Sequence, residues 1–117
     1  MASDGDLAPD DVPAADGVPG PDDFEERVLA VVEAIPPGRV MSYGDIAEYV
    51  GRGGPRQVGR VMALSGGSVP WWRVLHADGS PPPGHEREAL ALLRADGTPL
   101  RSGGARVDMA HARWDGR

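Results

Sequence analysis

Glycine and proline cut this chain at short, regular intervals. The clusters "IPPG" (35–38), "GRGGP" (51–55), "SGGSVP" (65–70) and "SPPPG" (80–84) fall so close together that no regular element between them is long. Proline cannot donate to a helical ladder and clashes with the preceding turn, and glycine costs backbone entropy in an element interior. The pattern therefore permits a few short helices and short extended pieces packed around one small core.

Between the breaks, apolar spacing sets the type of element. Phe24, Val28, Val31, Val32 and Ile35 lie at helical spacing, and Pro36 and Pro37 end that helix. "MSYGDIAEYV" opens with Ser42 and carries Asp45 three residues later, a capping-box pattern, followed by Ile46, Ala47 and Val50 on one face. Pro55 suits the first position of a third helix, "PRQVGRVMALS", with Val58, Val61, Met62 and Leu64 expected inside and Arg56, Gln57 and Arg60 outside. "WWRVL" reads as a short extended segment and "HADGS" as a turn, with a hairpin or wing expected there. "HEREALALLRAD" predicts a fourth helix stopped by Gly97, and "RVDMAHARW" is open to a strand, a short helix or a docked tail.

The formal charge of -6 hides two unlike parts. Residues 1–26 hold nine acids and no base, whereas residues 27–117 hold nine acids and all twelve Arg, a balance of +3. The first part is also poor in large apolar residues, so residues 1–22 are expected to form a disordered acidic tail and residues 23–117 a folded domain whose Arg excess lies beyond Glu26. The tail is either inert or a weak competitor for the domain's anionic ligand. All cations are Arg and none is Lys, which fits phosphate and base-edge recognition as well as a GC-rich coding bias. The chain has no Cys, which excludes disulfides, thiolate metal sites and a thiol nucleophile. His76, His85 and His111 lack metal-ligand spacing, so neither metal nor cofactor is expected. No apolar run approaches a membrane span and no leader pattern opens the chain, and a cytoplasmic protein without membrane contact is expected.

Two adjacent tryptophans, Trp71 and Trp72, stand in "PWWRVL" in a chain with three in all. Taken with "IPPGRVMSYGDIAEYVG", "RQVGRVM" and the turn "HADGS", this block resembles the DNA-binding domain of the O6-alkylguanine-DNA alkyltransferases over about residues 24–100. Members that repair DNA carry Pro-Cys-His-Arg-Val where this chain has Pro70, Trp71, Trp72, Arg73 and Val74. Trp71 thus stands at the nucleophile's position, and an indole has no lone pair with which to attack an alkyl carbon. The replacement is similar to that in the alkyltransferase-like proteins, which bind lesions without transferring the alkyl group.

The resemblance implies a mostly α fold with a small β wing, of the winged helix-turn-helix-like alkyltransferase C-terminal type. It implies a monomeric, non-enzymatic sensor that docks in the minor groove of double-stranded DNA containing O6-alkylguanine and flips the nucleotide. It also implies hand-over to nucleotide excision repair proteins and association with the nucleoid when bound. Its DNA-binding residues would be Ser42, Tyr43, Arg56, Gln57 and Arg60, with Tyr43 displacing a phosphate and Arg56 filling the vacated stack. Its lesion pocket would be lined by Tyr43, Val69, Pro70, Trp71, Trp72 and Arg73, the last also suited to pairing with a buried carboxylate. Two departures stand out: the interval from Arg56 to Pro70 is short, and "SPPPGHER" is short and Pro-rich where some relatives place an Arg that stacks on the flipped base, leaving Arg87 as the candidate substitute. Trp114 is placed in the core or the pocket.

Other readings of the same residues remain. A winged-helix regulator would read undamaged sequence with Arg56, Gln57 and Arg60, its tryptophans packed beneath a wing. A protein-interaction module would not bind DNA at all.

Overall fold

The computed structural model describes residues 21–117; the expected tail, apart from its last two residues, lies outside the described residues. Helix α1 (Pro21–Ala34) is followed by strand β1 (Met41–Ser42), helices α2 (Tyr43–Val50) and α3 (Pro55–Ser65), strand β2 (Val74–Leu75) and helices α4 (Glu86–Asp96) and α5 (Met109–Ala112). Two 3-10 turns, Gly66–Ser68 and Trp71–Arg73, lie between α3 and β2. The fold is mostly helical with a small two-stranded sheet.

Local signals account for the element ends. Helix α1 begins at Pro21, and the chain after it turns at Pro36 and Pro37 with Gly38 at φ 88°. The capping box of α2 forms: the Asp45 N–H donates to Ser42 Oγ and the Ser42 N–H donates to Asp45 Oδ2, each at 3.0 Å. Pro55 opens α3, and Gly97 stops α4 in the left-handed region at φ 78°. Of the alternatives open for the last segment, the chain takes a short helix, α5.

The small sheet explains how the domain is filled. β1 and β2 pair in parallel, Met41 opposite Val74 and Ser42 opposite Leu75. Successive strand side chains point to opposite faces. Met41 and Val74 accordingly join a core with Val28, Val32, Ile46 and Val58 from α1, α2 and α3. Val40 and Leu75 join a second core with Leu93 of α4, Val107 and Ala112 of α5. A parallel pair buried on both faces is the expected setting for such apolar strands.

Three sequence expectations change. The extended reading of "WWRVL" holds only for Val74 and Leu75, because Trp71–Arg73 winds into a 3-10 turn. "HADGS" does turn, with the His76 N–H donating to the Ser80 carbonyl at 3.0 Å and Gly79 at φ 88°, but β2 pairs with β1 and not with a returning hairpin strand. Leu64 is 78% exposed instead of buried. It lies six residues beyond Val58, which at 3.6 residues per turn puts it about 120° round the helix, turned from the core toward solvent.

Candidate nucleic-acid interface

A cleft of about 480 Å³ opens between the end of α3 and the segment leading into α4. Gly59, Met62 and Ala63 of α3, with Gly66 and Gly67 just beyond it, make one wall. Pro82, Pro83, His85 and Glu88 make the other, and Tyr43 and Trp71 complete the lining. The volume lies within the range of about 300–1,000 Å³ usual for small-molecule sites.

Tyr43 is the first residue of α2, so the capping box of Ser42 and Asp45 that encloses it sets its direction. Its ring lies 5.3 Å from that of His76 at an interplanar angle of 47°. Burial pushes the phenol pKa above its ordinary value, so the hydroxyl stays neutral at physiological pH. Gly59 faces the same ring; a Cβ there would sit 4.0 Å from it, so the glycine keeps the wall low.

The two tryptophans part company at the 3-10 turn. Their rings meet edge to face, 5.9 Å apart at 89°. Trp71 turns to the cleft, with His85 at 5.7 Å on its other side. Trp72 turns away and packs against the second core, and its indole N–H donates to Asp96 Oδ2 at 2.9 Å. Arg73 lies over the Trp72 ring at 5.2 Å and donates from Nε to Asp96 Oδ2 at 2.8 Å and from Nη2 to Asp96 Oδ1 at 3.1 Å. Its Nη1 donates to the Ile35 carbonyl at 2.9 Å. The hydrogen bonds from Arg73, and then that from Trp72, hold the Asp96 carboxyl below the usual carboxylate range against the opposing effect of burial.

Of the residues expected in a lesion pocket, the structure brings Tyr43 and Trp71 together at the cleft. Trp72 and Arg73 are drawn off by Asp96, Val69 packs against the first core, and Pro70 caps the 3-10 turn; none of these four lines the cleft. Arg87 is exposed outside it, and Trp114 packs against the first core. Of the expected DNA-contact residues, Arg56 and Arg60 are exposed on α3 and make no ion pair with a described residue. Gln57 is exposed, but its Oε1 accepts the Gly54 N–H at 2.9 Å, closing the start of α3. Ser42 is turned inward, 4% exposed, with its N–H and hydroxyl both engaged by Asp45.

The lining that sequence reasoning missed had a signal. Gly59, Ala63, Gly66 and Gly67 are small residues at helical spacing, the pattern of a helix wall kept low for something to approach. The proline segment carried no comparable sign for His85 and Glu88.

The profile of the 6-O-methylguanine DNA methyltransferase DNA-binding domain matches residues 23–98. The chain belongs to this family. A DNA base-flipping protein of Escherichia coli is 38% identical over 100 residues, which cover 80% of this chain and 76% of that protein. Alkyltransferase-like protein 1 of Schizosaccharomyces pombe is 42% identical over 62 residues, half of this chain and 57% of that one. The solved structure of S. pombe Atl1 with damaged DNA containing O6-carboxymethylguanine superposes with a TM-score of 0.69 at 29% identity, covering 80% of this chain and 95% of that one. A second structure of the S. pombe protein with DNA gives a TM-score of 0.68 at 31% identity. Helices α2 and α3 pack against each other across the Gly51–Gly54 turn.

Proposed function

We propose that this chain is a non-enzymatic sensor of O6-alkylguanine in duplex DNA. The observation that carries the reading is a half-open cleft walled by Trp71 and Tyr43 beside the exposed Arg56 and Arg60. The similar S. pombe protein bound to damaged DNA supports it.

The modified base cannot be reached inside the stack, so it must leave the helix, at a cost of a few kcal/mol that a weakened lesion pair lowers. Helix α3 docks in the minor groove, Arg60 meets the phosphates, and Arg56 enters the duplex to fill the space left by the flipped nucleotide. Tyr43 turns the backbone beside it. In the cleft the Trp71 face stacks on the extruded base, a contact that contributes about 1–3 kcal/mol and so offsets the flipping cost. The Met62 side chain and the two prolines supply apolar surface for the alkyl group.

No transfer follows, because the chain holds no thiol and the indole at position 71 is not a nucleophile. A lesion held but not repaired must be passed on, and the receiving system is nucleotide excision repair.

The test is a paired titration at fixed salt of two duplexes that differ only by O6-methylguanine for guanine, followed by mass analysis of the protein. Tighter binding to the modified duplex with an unchanged protein mass is expected. Equal affinity for both duplexes defeats damage sensing in favour of a regulator of undamaged sequence, and a mass increase of one methyl group defeats the non-enzymatic reading.

A further inference from the structure

Helix α3 presents to solvent one large apolar side chain that does not line the cleft. Leu64, 78% exposed, and Tyr49, 54% exposed, are the two large apolar residues left open among the described residues. They differ in setting. Tyr49 is approached by the C-terminal segment so closely that a Cβ on Gly116 would meet its ring at 2.4 Å. Leu64 stands on the solvent face of α3, in one row with Arg56 and Arg60 at intervals of four residues. Residues four apart on a helix are surface neighbours, and side chains lean toward the helix N-terminus, so Leu64 covers the turn that carries Arg60.

We infer that Leu64 is an apolar wedge for duplex DNA, set in a docking row with Arg56 and Arg60 whose occupant is the minor groove. The inference rests on the DNA-binding reading above. The two guanidinium groups make no ion pair with a described residue and call for an anionic partner. The leucine beside them calls for apolar surface within reach of the same anions. A minor groove supplies both: phosphates run along its edges, sugar faces and base edges form its interior, and apolar side chains inserted between base steps kink the duplex. A free phosphate or a wholly acidic peptide would satisfy the cations and leave the leucine in water. Arg60 then holds the backbone, while Leu64 loosens a base step and bends the helix, which eases extrusion of the nearby nucleotide into the cleft.

Affinity and bending of an end-labelled duplex, read by energy transfer with the full chain at several salt concentrations, test this on both undamaged and O6-methylguanine DNA. Leu64→Ala and Leu64→Gln should each weaken binding to both duplexes about tenfold, as expected for losing burial of one leucine side chain. They should also reduce bending without changing the salt slope, whereas Arg60→Ala should lower that slope by about 0.9. Leu64→Met, which keeps apolar reach, should bind and bend as the unaltered chain does. The wedge is overturned if Leu64→Ala and Leu64→Gln bind and bend both duplexes normally, or if Leu64→Met fails as they do. A chain that bends both duplexes equally but does not distinguish them defeats damage sensing and leaves the wedge standing.

Discussion

Trp71 and Trp72 are consecutive and chemically identical, yet one faces the cleft and the other anchors the second core. The 3-10 turn divides them: it swings each side chain about 120° from the last, and Asp96 fixes which one goes inward. Truncating each should therefore damage a different property. Trp71→Ala is expected to weaken lesion binding by about 1–3 kcal/mol, the loss of one stacking face, with little change in urea midpoint. Trp72→Phe keeps an aromatic ring in place but loses the indole N–H to a charged acceptor, and should lower unfolding free energy by at least about 2 kcal/mol while leaving lesion preference intact. Titration and urea denaturation of both variants separate the two; a shared phenotype would contradict the division. The sequence marked this pair as unusual but could not say which ring is exposed, because the selecting partner, Asp96, lies on a distant helix.

At the level of elements, α2 and α3 are set by their first turns. Ser42→Ala removes the hydroxyl that accepts the Asp45 N–H, and should cost about 1 kcal/mol in thermal or urea unfolding. Tyr43, the next residue, loses its fixed starting direction as well. On α3 the two exposed arginines are expected to differ: Arg56→Ala should erase the preference for modified over normal duplex, whereas Arg60→Ala should lower affinity for both alike. Competition titrations check this, and equal losses from the two variants would remove the special role of Arg56. These helices were legible in the sequence because a cap, a leading proline and a stopping glycine act within a few residues of themselves. At Leu64 the two signals disagree, since an apolar side chain points inward by type while its helical phase, about 120° round from Val58, turns it to solvent. The parallel pairing of β1 with β2 was invisible, since nothing near either strand encodes a partner on the far side of α2 and α3.

Across the whole molecule, Arg73 joins the two cores, binding the Ile35 carbonyl after α1 with one nitrogen and Asp96 at the end of α4 with two others. The side chains of the pair are 12% and 13% exposed, so solvent screens them little. Asp96→Ala, which strands the guanidinium, should destabilise the chain by about 3 kcal/mol. The carboxyl of Asp96 has a lowered pKa in the folded state, so its contribution is complete above the ordinary aspartate range and is lost as pH falls through the lowered value. Urea midpoints of the unaltered chain should therefore drop in that acid window, and those of Asp96→Asn should drop less. A parallel decline in both proteins would move the acid sensitivity elsewhere, to Asp78 or Asp108, whose pKa values are also lowered.

The same arginine is in effect the gauge pin of the cleft. One jaw, on α3, belongs to the first core, and the other, at the entry to α4, leans on the second, so their spacing is an inherited dimension rather than a local one. A change at Arg73, which touches no wall of the cavity, would widen or slacken the grip on every guest at once, without favouring one alkyl group over another.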